Sequence, residues 1–206
     1  MKWITISVFY LLFDYLSLAQ VNKTLPITVK LGDQPVELNT PIQFNDSTLT
    51  ISTLKFYVTQ LNKDGISTIQ LIDWSEKDTR YLSASMIAQL HLGTDSSTNV
   101  SGNLDGDLDP INGMYWAWNS GYINFKLEGY WNNRAEEKFE YHIGGYRQPY
   151  ATFREIGTIG ELTNELSVDL TALIEFIITE KINSVMTPGK NAVLFIDAVQ
   201  PCFQLR

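Results

Sequence analysis

The sequence is poor in the residues that build disulfide-stabilised and metal-caged proteins. Among its 206 residues there is a single cysteine, Cys202, and there are only two histidines, His91 and His142. One cysteine excludes an intramolecular disulfide framework and any metal site made of cysteines alone. Two histidines exclude a three-histidine metal site within one chain. We expect Cys202 to be a small buried apolar residue rather than a metal ligand.

Positive charge is also scarce. The chain carries 15 Lys and Arg against 23 Asp and Glu, for a net charge of −8, and it has no long basic run. This balance disfavours a DNA or RNA partner, because binding to phosphates depends on clustered cationic side chains. Hydrophobic residues make up 44% of the chain and aromatic residues 12%, which predicts a folded domain rather than a disordered segment.

The N-terminus carries one short apolar run. Residues 4–13 (ITISVFYLLF) are apolar or uncharged, follow Lys2, and precede the small residues Ser17 and Ala19. This order is typical of a cleaved signal peptide over residues 1–19, with the mature chain starting near Gln20. The run is too short for a membrane span, which needs about 20 residues, and no later run is longer. We therefore expect one domain over residues 20–206, exported to the periplasm, the cell surface or the medium.

Alternation of apolar and polar residues predicts a mainly β fold. It is clear at residues 27–31, 49–58 and 123–128, and turn-forming residues separate these segments. Near the C-terminus, the spacing of Leu170, Leu173, Ile174 and Ile177 predicts one amphipathic helix, with Asp169 at its N-terminus. The continuous apolar run at residues 192–196 predicts a buried central strand. The expected architecture is an antiparallel β-sandwich with one C-terminal amphipathic helix.

Candidate functional residues concentrate between residues 91 and 145. Strand alternation places His142 on the face opposite Phe139 and Tyr141, and it turns His91 away from its apolar neighbours in the same way. Two histidines beside glycine-containing turns are a weak indication of a metal site. In the same segment, Trp116 and Trp118 are two residues apart, which predicts that both indoles lie on one face of a strand, where core packing is the ordinary function of such a pair.

An acidic segment lies between these features. Asp105, Asp107 and Asp109 alternate in a glycine-containing loop, and oxygen ligands at this spacing are those that Ca²⁺ prefers. The complete twelve-residue calcium loop is absent, so the alternative is a solvated acidic turn.

Enzyme signatures are missing. The sequence contains no Gly-x-Ser-x-Gly nucleophile elbow, no His-Glu-x-x-His zinc helix and no phosphate-binding glycine loop. We therefore expect a protein that binds rather than catalyses.

Several segments resemble the MbnP family of exported proteins, which is related to the copper-binding surface proteins of methane-oxidising bacteria. The main ones are DPINGMYWAWNSGYINFKLEG at residues 109–129 and FEYHIGGY at residues 139–146. LTISTLKFYVTQL, LIDW and HLGTDSSTNVSG agree with it as well, so the likeness covers most of residues 25–200. Trp-x-Trp-x-x-Gly-Tyr and His-x-Gly-Gly are the most specific motifs.

This resemblance implies a copper-binding protein. Copper-binding members hold Cu(I) with two histidines and a tryptophan that a partner di-haem peroxidase oxidises to kynurenine. Carried over to this chain, His142 of the His-x-Gly-Gly motif is one ligand and His91 the second, and Trp116 or Trp118 is the candidate for oxidation. Met114 is an available thioether, a donor that suits soft Cu(I).

A second function remains open beside copper handling. The chain could be a metal-free β-sandwich module for recognition or adhesion that binds a ligand through its Trp-x-Trp surface. The discriminating feature is whether His91 and His142 come together. If they lie apart, the aromatic surface becomes the better candidate.

Overall fold

The computed structural model describes residues 22–62, 65, 67–85, 88–102, 105–119 and 121–206. The predicted signal peptide, residues 1–19, lies outside these described residues. The strands are β1 (Asn22–Leu31), β2 (Gln34–Pro35), β3 (Pro41–Phe44), β4 (Ser47–Leu61), β5 (Ser67–Asp73), β6 (Tyr81–Ser85), β7 (Gln89–Leu92), β8 (Tyr115–Trp116), β9 (Gly121–Trp131), β10 (Lys138–Gly144), β11 (Arg154–Thr158), β12 (Leu166–Asp169), β13 (Ser184–Val185) and β14 (Phe203–Leu205). The helices are α1 (Ser96–Ser101), α2 (Thr171–Glu180) and α3 (Lys190–Val199).

Two sheets form a curled, sandwich-like fold, so the prediction of a mainly β sandwich is confirmed. In the smaller sheet the strand order is β14-β12-β1-β2, and β6 also pairs with β1. In the described part of the chain, the larger sheet has nine strands, which are arranged around the long strand β4. Most pairs are antiparallel, but β1 with β12 and β10 with β13 are parallel, so both sheets are mixed.

The pairing around β4 determines where the candidate residues lie. Strand β5 pairs with residues 55–61 of β4. Strand β9 pairs with residues 49–56 of β4, and β7 pairs with residues 58–61. Both ranges overlap the one that β5 occupies, so β9 and β7 lie end to end along the other edge of β4. Strand β10 continues the sheet beside β9, and β11 continues it beside β7.

The main core lies between the two sheets. Strand β1 contributes Leu25 and Val29, β4 contributes Phe56 and Val58, and all four side chains are buried in one cluster. The ring of Phe56 meets that of Phe203 from β14 edge to face, at 5.0 Å between centroids. Helices α2 and α3 add the buried residues of their apolar faces to this cluster.

The C-terminal part confirms one prediction and corrects another. Helix α2 forms where the apolar spacing predicts it, and the carboxylate of Asp169 accepts the backbone N–H of Thr171. Residues 192–196, predicted to be a strand, lie instead within helix α3. The buried residues of α3 are Ala192, Phe195, Ile196 and Val199, which is a helical stripe, whereas Leu194 is exposed.

Two smaller findings complete the fold. Cys202 is buried, and burial raises the pKa of its thiol to about 11, as suits a packed apolar residue. Within the described residues, no helix is long and apolar enough to cross a bilayer.

Candidate functional site

The candidate residues lie on the face of the larger sheet that turns away from the main core. Strand alternation directs Phe56 and Val58 into that core, and it directs Tyr57 and Thr59 to the opposite face. The segment between β7 and β9 covers part of this face. There a second buried cluster forms from Tyr57, Leu71, Met114, Trp116, Tyr122 and Ile123.

The acidic segment anchors this covering loop to the sheet. Asp107 accepts the backbone N–H of Leu71 through its carboxylate at 2.9 Å, and its carbonyl accepts the hydroxyl of Tyr57 at 2.9 Å. Asp109 accepts the backbone N–H of Ile111 at 2.9 Å, which caps a short 3-10 turn. Asp105 is exposed. Two of the three carboxylates predicted for Ca²⁺ thus hold the loop's backbone and that of β5.

The described residues of this region form no cluster of metal-ligating side chains. Across the described ranges, no three His, Cys, Asp or Glu side chains come close enough together to hold one metal ion. The arrangement of Asp105, Asp107 and Asp109 therefore gives no support to the calcium prediction.

Met114 belongs to the apolar cluster. Its side chain is fully buried among the aromatic residues Tyr57, Trp116 and Tyr122, and its carbonyl accepts the backbone N–H of Ile123 at 2.9 Å. Its position is that of a packing residue.

The two tryptophans differ sharply in exposure. Strand β8 ends at Trp116, which is 6% exposed, and a turn follows in which Trp118 is 66% exposed. The prediction that strand alternation places both indoles on one face is therefore wrong, because the strand does not continue. The rings nevertheless touch, with centroids 5.8 Å apart at an angle of 45°. The buried ring of Trp116 therefore packs against the exposed indole of Trp118.

The two glycines of the His-x-Gly-Gly motif have a packing function. A Cβ atom on Gly144 would collide with the carbonyl oxygen of Tyr122 and would lie 2.8 Å from Cζ3 of Trp116. Gly145 has a φ of +137°, and a Cβ there would collide with the carbonyl oxygen of Tyr150. The first glycine admits the Trp116 indole, and the second lets the following loop close back on itself.

His142 is held by an acidic neighbour. Its Nε2 lies 2.6 Å from Oε1 of Glu128, whose other carboxylate oxygen accepts the hydroxyl of Thr53 at 2.8 Å. Burial is the largest effect on His142 and lowers its pKa, although Glu128 opposes this. Burial alone would raise the pKa of Glu128, but hydrogen bonds from His142 and Thr53 and the charge of Lys126 hold that pKa below its usual range.

His91 has a different environment. It is 8% exposed, and its ring stacks on Phe153 with centroids 4.6 Å apart and the planes within 5° of parallel. Its Nδ1 is buried and has no hydrogen-bond partner among the described residues. Burial lowers the pKa of the imidazole, against the charge of Glu155, the nearby backbone of Gln89 and the charge of Asp95. Burial thus favours the neutral form of the ring.

The structure does not bring the two histidines together. His91 lies opposite Thr59 of β4. His142 lies opposite Lys126 of β9, and Lys126 in turn lies opposite Lys55 of β4. Four residues of strand rise, about 13 Å, and one strand spacing, about 5 Å, put their Cα atoms about 14 Å apart. They share a face of the sheet, as alternation predicts, but His142 is engaged by Glu128. A single Cu(I) site made of both histidines therefore does not fit this arrangement.

Sequence reasoning missed an open groove on the loop after Gly145. Two adjoining depressions share Tyr146 and Gln148, with volumes of about 230 Å³ and about 410 Å³. The first is lined by Asn119, Gly145, Tyr146, Arg147, Gln148, Pro149, Tyr150 and Pro188, and the second by Thr94, Asp95, Ser96, Ser97, Tyr146, Gln148, Ala151, Phe153 and Arg154. The available signal was the aromatic and polar segment YRQPYATFR at residues 146–154, which has no strand alternation.

Comparison with known proteins gives a consistent family relationship. A family model described as MbnP matches residues 20–190. Among solved structures, MbnP from Methylosinus trichosporium has a similar fold, with a TM-score of 0.51 and 13% sequence identity over 75% of this chain and 78% of that chain. At that identity the likeness concerns the fold. No curated protein sequence matches this chain.

Proposed function

Because this chain belongs to the MbnP family, we propose that it is an exported binding protein of the MbnP type that contacts its ligand through the aromatic surface around Trp118. The observation that carries this proposal is the indole of Trp118, which is 66% exposed while resting on the buried ring of Trp116. An exposed ring on a fixed base provides a large contact area with little loss of side-chain freedom on binding. Tyr150 is 46% exposed and lines one depression together with Asn119, the residue that follows Trp118. The proposal assigns no catalytic step to this chain.

The separation of the histidines argues against the two-histidine copper centre as the main function. Cu(I) bound by two imidazoles needs nitrogens that both lie near 2 Å from the metal. About 14 Å between the Cα atoms, together with the engagement of His142 by Glu128, leaves the pair unable to share one ion without rearrangement of the sheet.

A second candidate function is copper handling through His91. The specific observation in its favour is the buried, unpartnered Nδ1 on a ring whose pKa burial lowers, since a neutral imidazole is the form that binds a soft cation. His91 would then need a further donor from a partner molecule. In that candidate the di-haem peroxidase remains the partner, and Trp118 is the indole it could reach, because Trp116 is buried.

An anaerobic Cu(I) titration against a competing chelator separates the two candidates. The samples are the wild type, His91→Ala, His142→Ala and Trp118→Ala, each with intact mass to detect oxidised tryptophan. We expect no copper stoichiometry that depends on either histidine. One equivalent of Cu(I) that is lost in His91→Ala or in His142→Ala would overturn the main proposal and favour copper handling.

A further inference from the structure

The groove beside Trp118 has the composition of a site for a neutral, polar ligand with apolar faces. Tyr146 and Tyr150 provide aromatic surface, and Trp118 directly precedes Asn119 at the rim of the smaller depression. The side chains of Asn119 and Gln148 are exposed planar amides, and no hydrogen bond to them occurs within the described part of the chain. Rings of this kind favour a ligand with C–H faces, and amides favour one with hydroxyl groups.

The charged residues around the groove are already engaged. The guanidinium of Arg154 donates to Asp197 at 2.8 Å and to the carbonyl oxygens of Ala151 and Phe153. Arg147 lies over the ring of Tyr146, 5.0 Å from its centroid. Arg154 is therefore neutralised by an ion pair, Arg147 is the one cation at the groove without one among the described residues, and the net charge of −8 disfavours an anionic ligand.

The one carboxylate at the groove is engaged in the same way. Asp95 accepts the backbone N–H of Thr98 at 2.7 Å and the hydroxyl of Ser97 at 2.9 Å. Hydrogen bonds from these two residues hold its pKa below its usual range, although burial opposes them. The groove therefore has few free charges of either sign.

The loop that forms the groove is fixed before any ligand arrives. The backbone N–H of Thr152 donates to the carbonyl of Gly145 at 2.9 Å, which closes the loop. The hydroxyl of Thr152 accepts a hydrogen bond at 2.9 Å from Asn124, a fully buried residue of β9. Asn124 also accepts the backbone N–H and the hydroxyl of Thr94 at the far side of the groove. Both walls are thus attached to one buried amide, so little ordering cost remains for binding.

From these observations we propose that the groove lined by Ser96, Asn119, Tyr146, Gln148 and Tyr150, together with the exposed indole of Trp118 that precedes Asn119, binds a neutral oligosaccharide. Sugar rings stack their C–H faces on the aromatic rings, and their hydroxyl groups exchange hydrogen bonds with the two amides. The two depressions meet at Tyr146 and Gln148, so a chain of sugars can occupy both. This inference rests on the proposed function, since it names the ligand class of the same surface.

Affinity electrophoresis and a glycan array test the proposal. The probes are soluble neutral glucans, galactans and xylans, with acidic polysaccharides and a peptide library as the other ligand classes. The variants are Trp118→Ala, Tyr150→Ala and Gln148→Ala. The matched control is Tyr81→Ala, which removes an exposed tyrosine of the smaller sheet. Thermal melting of every variant shows whether it is folded.

We expect the wild type and Tyr81→Ala to bind at least one neutral glycan, and each groove variant to bind it about tenfold more weakly. Equal binding by the groove variants and the control would overturn the site. Binding only to acidic polysaccharides or to peptides, lost in Trp118→Ala, would overturn the oligosaccharide while leaving the proposed function intact. Absence of any Trp118-dependent ligand in all three classes would overturn both.

Discussion

Replacement of His91 by phenylalanine is expected to stabilise the protein. The buried Nδ1 of His91 has no partner among the described residues, and an unsatisfied buried polar group costs about 1–3 kcal/mol. Phenylalanine removes that atom and keeps the ring stacked on Phe153. The phenyl ring is slightly larger than the imidazole, and fitting it into the same space costs about 1 kcal/mol. The net expectation is an increase of about 1 kcal/mol in the free energy of unfolding, or about 2–4 °C in Tm for a chain of this size.

The gain should depend on pH. Burial lowers the pKa of His91 from its ordinary value of 6.5, so the unfolded chain binds this proton more readily than the folded one. The free energy of unfolding of the wild type therefore decreases as pH drops through and below about 6.5. In His91→Phe the part of this decrease that comes from His91 should be absent, so the variant should gain more at low pH. His142 contributes in the same direction, because burial lowers its pKa too, so some pH dependence remains in the variant.

Urea unfolding at pH 7.5 and pH 5.5, with a chelator present, measures both effects. The control is His142→Phe, which removes the imidazole bound to Glu128 and should destabilise the protein at both pH values. A loss of stability in His91→Phe at both pH values would refute the reasoning, since it would mean that Nδ1 has a stabilising partner. A gain of equal size at both pH values would refute the account of the pH dependence.

Three further outcomes follow from the described contacts. Gly144→Ala should lower the free energy of unfolding in urea denaturation by about 2–4 kcal/mol, because its Cβ would collide with the carbonyl oxygen of Tyr122 and the indole of Trp116. The control is Gly160→Ala, whose Cβ would lie 3.8 Å from its nearest neighbour and which should change that free energy by about 0.5 kcal/mol. Asn124→Ala should cost about 2–3 kcal/mol, since it leaves the buried partners of this amide unpaired, and calorimetry should show the lower Tm. Glu128→Gln should lower the free energy of unfolding by about 1 kcal/mol, after allowance for the partial exposure of Glu128. Because the pKa of Glu128 is lowered in the folded state, the variant should also lose less stability than the wild type as pH falls below 4.5. An unchanged dependence of stability on acid pH would contradict this.

Local patterns in the sequence predicted the strands and the orientation of side chains well. Alternation at residues 49–58 and 123–128 identified β4 and β9, and it placed both histidines on the face away from the core. Helix α2 also followed from the spacing of its apolar residues. These features are predictable because one buried face imposes a period of two or 3.6 residues within a single element.

Other features depended on tertiary structure. The run at residues 192–196 is apolar at every position, so it fits either period, and only packing against Tyr141 and α2 selects the helix α3. The distance between His91 and His142 depends on where β7 and β10 lie along β4, which alternation within one strand does not specify. The resemblance to copper-binding proteins therefore predicted His91 and His142 as a ligand pair, but the strand register places them apart.

The groove was not predictable from local patterns. Its loop has no periodic pattern, and it is fixed by Asn124, which lies 28 residues before its partner Thr152 in the sequence. A polar residue in a half-buried strand gives no sign that it will hold two loops together. The exposed state of Trp118 was unpredictable for a related reason, since β8 ends at Trp116 without a proline or glycine to mark the end.

The parallel pairing of β1 with β12 has a consequence for the time at which the chain folds. Ile27 lies opposite Leu166, so about 140 residues must be synthesised after β1 before its parallel partner exists. At 5–20 residues per second this takes roughly 7 to 30 s. During that interval β1 lacks one neighbour and the smaller sheet stays open. A chain that crosses a membrane before folding would benefit from this delay, because premature closure of the sandwich would block its passage.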